Sequence, residues 1–159
     1  SFRKNLNLLS FIKLFISPIL FLRKNTFQKE KNYILFQEFI PNNNFDLRII
    51  VVGNRACSLK RFNRENDFRA SGSGLIDYPN KENSDIECIK LAFQMNKKLK
   101  YQAIAFDFLY RNGKPILVEI SFGFSIEAYD LCPGYWTSDL KWINGGVVPQ
   151  NWIIEDLLS

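Results

Sequence analysis

Apolar and polar positions alternate with a period of two along several stretches of this chain, and with a period near 3.6 along one. "FDLRIIVVGNRACSLKRF" (45–62) sets two β-rich runs about Gly53-Asn54, a pattern that predicts a hairpin. "YILFQEF" (33–39) predicts a strand, ended by Pro41, which has no N–H to donate, and by the Asn42-Asn43-Asn44 run. From Ser84 the spacing changes. Ile86, Ile89, Ala92, Phe93 and Leu99 fall on one helical stripe, with Ser84 as N-cap and Glu87 completing a capping box. "AFDFLYRNGKPILVEIS" (105–121) is a second hairpin, turning at Asn112-Gly113. Residues 63–83 are a polar loop, and the last forty are irregular and aromatic, closing in a short helix, "IIEDLL". The elements predict an α+β fold, an antiparallel sheet with packed helices.

The first segment stands apart. "NLNLLSFIKLFISPILFLRKN" is apolar between basic flanks, but Lys13 and Pro18 interrupt it and it is shorter than a bilayer span. Leu8, Ile12, Phe15 and Ile19 share a stripe, so residues 1–32 are expected to form a basic apolar helix packed on a sheet, separate from a body at 33–159. The alternative is weak membrane association through an interfacial helix. The chain has no glycine before Gly53 and opens on Ser1, which leads us to expect a piece of a longer protein.

Composition removes whole classes of chemistry. There is no histidine, which excludes Ser-His and Cys-His nucleophiles and His-ligated zinc. Cys57, Cys88 and Cys132 are widely spaced and odd in number, as expected of buried reduced thiols in a cytoplasmic protein. Residues 1–32 hold seven Lys/Arg against one Glu, a surplus of six, so the body of this +5 chain carries −1. A near-neutral body argues against a nucleic-acid partner.

The second hairpin holds two acids among apolar residues. Phe106, Phe108 and Tyr110 share one face of its first strand, and Ile116, Val118 and Ile120 one face of the second. If these sets meet in one core, Asp107 and Glu119 share the other side. A plain two-residue turn would pair 107 with 118 and separate the acids, so the pattern predicts a bulged turn at Gly113. Two neighbouring carboxylates repel unless one is protonated or a cation lies between them. Either they pair with Lys or Arg at the surface, or, with the hydroxyl of Ser121, they offer oxygen-only ligands suited to Mg²⁺. "DLR" (46–48) and "DFRASGSG" (67–74) add phosphate donors: Arg48 on a strand, and Arg69 on a loop whose Gly72 and Gly74 admit close backbone approach. Asp46 and Asp67 are expected to steady the arginine two residues on, while Arg55, Arg61 and Arg64 solvate the surface.

Strand "FQEFIP", hairpin "DLRIIVVG", loop "DFRASGSG", a helix and then "IAFDFLYRNGKPILVEIS" resemble, in that order, the C-terminal half of ATP-grasp proteins. The ending "CPGYW…W…G…P" is similar to bacterial ATP-grasp proteins of cell-surface polysaccharide gene clusters. The resemblance covers about residues 33–159. It implies ATP-dependent joining of a carboxylate to an amine or similar nucleophile through an acyl phosphate. It assigns Asp107, Glu119 and Ser121 to Mg²⁺, and Gln37, Glu38, Phe39 and Ile40 to the adenine hinge. Arg48 and Arg69 become the catalytic stabilisers of phosphoryl charge. The chain departs from the family in having Ser121 where Asn is usual. No strand and Gly-rich loop precede Tyr33, so Lys4, Lys13 and Lys24 are not assigned to the family's grasping lysine. The expectation is the metal and acceptor side of a ligase site with little turnover alone. The alternative is a non-catalytic ATP-grasp-like module serving a glycan-assembly or membrane partner. Tyr135, Trp136, Trp142 and Trp152 would either stack on a sugar or wall the site.

Overall fold

The computed structural model describes residues 34–158. The expected helix of 1–32 lies outside them. The chain divides into two units, Ser1–Glu38 and Phe39–Ser159. Within the first, residues 34–38 are irregular and exposed, so the strand expected at 33–39 is not formed over its described part. β-propensity alone does not make a strand without a ladder partner.

In the second unit, seven strands among the described residues form one antiparallel sheet. They are β1 (Phe45–Val52), β2 (Arg55–Phe62), β3 (Ile76–Asp77), β4 (Ala103–Arg111), β5 (Lys114–Ser121), β6 (Gly134–Thr137) and β7 (Trp142–Asn144). Their order is β5-β4-β1-β2-β6-β7, with β3 also beside β2. Helices α1 (Ile86–Leu99) and α2 (Pro149–Leu158) complete the fold, with a 3-10 turn at Glu127–Tyr129. The short strands β6 and β7 correct the expectation of an irregular tail. At four and three residues they are too brief to show a period.

Alternation divides the central strands between two cores. Leu47, Ile49, Val51, Ile104, Phe106 and Phe108 pack with Cys88, Ile89 and Ala92 of α1. On the opposite face Ile50, Val52, Cys57, Leu59 and Ala105 pack with Tyr129, Cys132 and Trp152 of the C-terminal segment. Helix α1 begins one residue later than expected. Asp85, not Ser84, is the N-cap, and its Oδ1 accepts from the Cys88 N–H at 3.0 Å. Leu99, expected in the stripe, is exposed at the last turn. The β1–β2 turn needs glycine because α2 presses on it: a Cβ on Gly53, at φ +56°, would lie 1.9 Å from the Asp156 carboxylate. Arg55, expected to be solvated, instead bonds Asp156 at 2.7 Å and lies over the Trp152 ring, tying α2 to β2.

The second hairpin corrects the expected turn. Arg111 pairs with Lys114 about Asn112 and Gly113, both at positive φ, which is a tight two-residue turn. The bulge comes later. Phe108 pairs with Leu117 but Asp107 pairs with Glu119, so the register steps over Val118. Leu117, rather than Ile116 or Val118, therefore joins the α1 core.

Candidate active site

The charged residues form a row across four strands because the ladder register places them there. Asp46 on β1 faces Arg61 on β2, Arg48 on β1 faces Asp107 on β4, and Asp107 faces Glu119 on β5. All lie on the face that carries Ile50, Leu59 and Ala105 further along the sheet, so an apolar half and an ionic half share one surface.

Asp107 is the centre of the row and is 3% exposed. Arg48 binds it in a fork, with Nε donating to Oδ1 and Nη2 to Oδ2, both at 2.7 Å. Arg61 Nη2 donates to the same Oδ2 at 2.8 Å. Arg61 is also forked onto Asp46, at 2.6 and 2.7 Å. Arg48 Nη2 stands 3.9 Å from the exposed carboxylate of Glu119. The hydrogen bond to Asp107 raises the Arg48 pKa further above its ordinary value. Burial works against the charge on Arg61, and its bonds to Asp46 and attraction to Asp107 outweigh that, raising it too.

A cavity of about 390 Å³ opens beside this row. Its walls are Arg48, Arg61, Leu59, Ile76, Tyr129 and the loop 70–74. Gly72 and Gly74 have φ of +71° and +76°, a left-handed backbone that suits glycine. Arg64 Nη2 donates to the Ser71 carbonyl at 3.1 Å and braces that loop. Tyr129 is 1% exposed, and its hydroxyl finds no hydrogen-bond partner among the described residues. Burial holds that phenol well above its ordinary pKa, so it stays protonated.

The expected residues are thus partly assembled. Arg48, Asp107 and Glu119 meet, and Ser121 follows on the Glu119 side, its hydroxyl donating to the Gly123 carbonyl at 2.8 Å. Arg69 does not line the cavity. It is 63% exposed and forked onto Asp67, at 2.6 to 3.0 Å. Asp67 steadies Arg69 as expected, but Asp46 holds Arg61 rather than Arg48. Arg61, expected to be a solvated surface residue, is buried and lines the cavity. The missed signal was parity: Arg61 lies two residues beyond Leu59 and four beyond Cys57, on a face that must be covered. Phe39 packs edge-on against Phe68 at 5.4 Å, and Ile40 is buried. Gln37 and Glu38 lie in the other unit, exposed. Trp136 and Trp142 pair in the α1 core, and Tyr135 and Trp152 in the opposite one, so these aromatics wall the fold.

Whether these residues fit a divalent cation is decided by their oxygens. Asp107, Glu119 and Ser121 offer oxygen alone, as Mg²⁺ prefers. No group of three His, Cys, Asp or Glu placed to hold a metal ion by themselves occurs among the described residues. A cation here would complete its shell from phosphate and water, the usual habit of Mg²⁺. A positive group, Arg48, already stands between the two acids. The acids therefore fit a cation that takes its place.

A search of the curated proteins finds no match. The model of the RimK-like ATP-grasp domain matches residues 19–131, more than two thirds of the chain. That family consists of ATP-dependent ligases, and the antiparallel sheet with its two helices is the part of the fold that residues 45–158 build. The chain belongs to the RimK-like ATP-grasp family.

Proposed function

We propose that this chain supplies the metal and acceptor side of an ATP- and Mg²⁺-dependent ligase, which joins a carboxylate to an amine or similar nucleophile through an acyl phosphate. The observation that carries the reading is the row Arg61–Asp107–Arg48–Glu119, whose two arginines line a cavity. Asp107, Glu119 and Ser121 would hold Mg²⁺, which when bound offsets charge on the nucleotide's phosphates. Arg48 and Arg61 orient the substrate carboxylate and stabilise charge developing on its oxygens. The apolar walls, Leu59 and Ile76, keep water from the activated acyl group. Arg69, on the exposed loop, meets the nucleotide only if that loop closes. A cytoplasmic setting and a role in cell-surface polysaccharide assembly belong to the same proposal, through the likeness of the chain's ending.

The rival reading, a non-catalytic binding module, is favoured by one observation: both oxygens of Asp107 are already engaged by arginine. No helix of the described residues is long and apolar enough to cross a membrane. Any membrane or glycan-assembly partner would meet the module through residues 1–32.

One experiment separates the two. In the intact protein, Mg²⁺ with a non-hydrolysable ATP analogue raises the melting temperature, and the Asp107→Asn, Glu119→Gln double variant loses the rise. A wild-type protein indifferent to millimolar nucleotide would leave only the binding module.

A further inference from the structure

The pairing of Arg48 with both acids has a consequence for how the site is loaded. Three carboxylates, Asp46, Asp107 and Glu119, face two guanidiniums, Arg48 and Arg61, so the row carries one negative charge in excess. A second anion brought into the adjoining cavity meets arginines whose charge is already spent. A divalent cation between Asp107 and Glu119 reverses the balance to one positive charge, but only if Arg48 gives up its fork on Asp107.

We propose that Arg48 is a resident counter-cation that a divalent metal ion displaces, and that its release into the cavity creates the seat for the carboxylate of the acceptor substrate. The proposal rests on the ligase reading above. Arg48 already lines the cavity, so rotating its side chain suffices and no strand need move. A receiving group waits there. The Tyr129 phenol oxygen is shut off from solvent without a partner among the described residues, and the Arg48 charge is among those that act on it. A hydroxyl oxygen can accept from one guanidinium N–H and leave the others for a carboxylate. Leu59, Ala70, Ile76 and Ala128 make much of the remaining wall apolar, with Ser71, Ser73 and Ser125 beside them. The acceptor that fits is a carboxylate on a compact, largely apolar body, and it binds after the metal ion.

The test uses Mn²⁺ as the metal probe, with a non-hydrolysable ATP analogue in the intact protein, and reads bound metal by electron paramagnetic resonance. Deleting a residue that competes with the ion must tighten binding. Arg48→Gln is expected to lower the Mn²⁺ dissociation constant on the order of tenfold, while Arg48→Lys, which keeps the charge, stays near wild type. Equal or weaker binding in Arg48→Gln overturns the exchange yet leaves the ligase reading standing. No Mn²⁺ binding in any form overturns both. Should Arg48→Gln fail to fold, the wild-type Arg48 Nε–H nuclear magnetic resonance signal decides. It is expected to be protected from exchange without metal and to lose protection with Mg²⁺ and the analogue. Protection that persists in the loaded protein overturns the proposal.

Discussion

Asp107 and Glu119 are cross-strand partners of very unequal burial, with side chains 4% and 60% exposed. The two acids therefore answer to different tests. Asp107→Asn leaves two largely buried guanidiniums short of a charge partner, which costs about 3–5 kcal/mol. Glu119→Gln removes an exposed acid from a 3.9 Å contact, which costs under about 1 kcal/mol. Urea unfolding of the single variants checks this difference. If Glu119→Gln proves as destabilising as Asp107→Asn, Glu119 is structural and its place in a metal site is lost. A stable Glu119→Gln protein that no longer responds to Mg²⁺ and nucleotide is the expected result.

Arg61 and Arg69 make a second contrast. Arg61 joins Asp46 to Asp107 from a buried position, so Arg61→Ala strands Asp46, leaves Asp107 to Arg48 alone, and is expected to destabilise by about 3 kcal/mol. Arg69→Ala breaks only an exposed pair with Asp67, and the unfolding midpoint should move little. Its effect should fall on nucleotide turnover alone. An Arg69→Ala protein with full activity would remove that residue from the catalytic set, leaving Arg48 and Arg61.

Much of this arrangement was legible in the sequence because hydrophobic alternation is strong where two cores meet at one sheet. The β1–β2 hairpin follows from "RIIVVGNRACSL", and the shared face of Asp107 and Glu119 from the need to keep Phe106 and Phe108 inside. The device that brings the acids together was misplaced. A bulge at Gly113 and a register step over Val118 satisfy the same parity, and only packing against α1 selects Leu117 as the core residue. Arg61 was hidden by its basic neighbours, Lys60 and Arg64, which make the stretch look solvated. What binds a buried arginine is a tertiary matter, because Asp107 lies 46 residues away.

The start of α1 offers a local test. Asp85 caps it through Oδ1, while its Oδ2 accepts from the Tyr110 hydroxyl at 2.6 Å, so one carboxylate serves the helix and ties it to β4. Ser84, the residue sequence reasoning favoured, bonds only the Asn80 carbonyl. Asp85→Ala is expected to cost about 1–2 kcal/mol and Ser84→Ala clearly less, measured by thermal or urea unfolding. A larger loss from Ser84→Ala would place the cap one residue earlier. Tyr110→Phe should reproduce part of the Asp85→Ala loss, since it removes the second of the two bonds.

The loop beside the cavity makes the last prediction, in pH. Hydrogen bonds from Arg69, side chain first and then backbone, hold the Asp67 pKa down to about 2 from an ordinary 3.8. A depressed acid contributes fully above its unfolded pKa and loses that contribution as pH falls through the folded one. The Asp67–Arg69 clasp should therefore persist near pH 3, where a free aspartate is mostly protonated, and open toward pH 2. Because the pair is exposed, high salt should weaken the effect and move the midpoint upward. A carbon-13 nuclear magnetic resonance titration of the Asp67 carboxyl reads it directly, and Arg69→Ala should return the midpoint to about 4. A wild-type midpoint already near 4 would mean that the clasp does not form in solution. Arg69 would then be free to meet a nucleotide without first leaving a carboxylate.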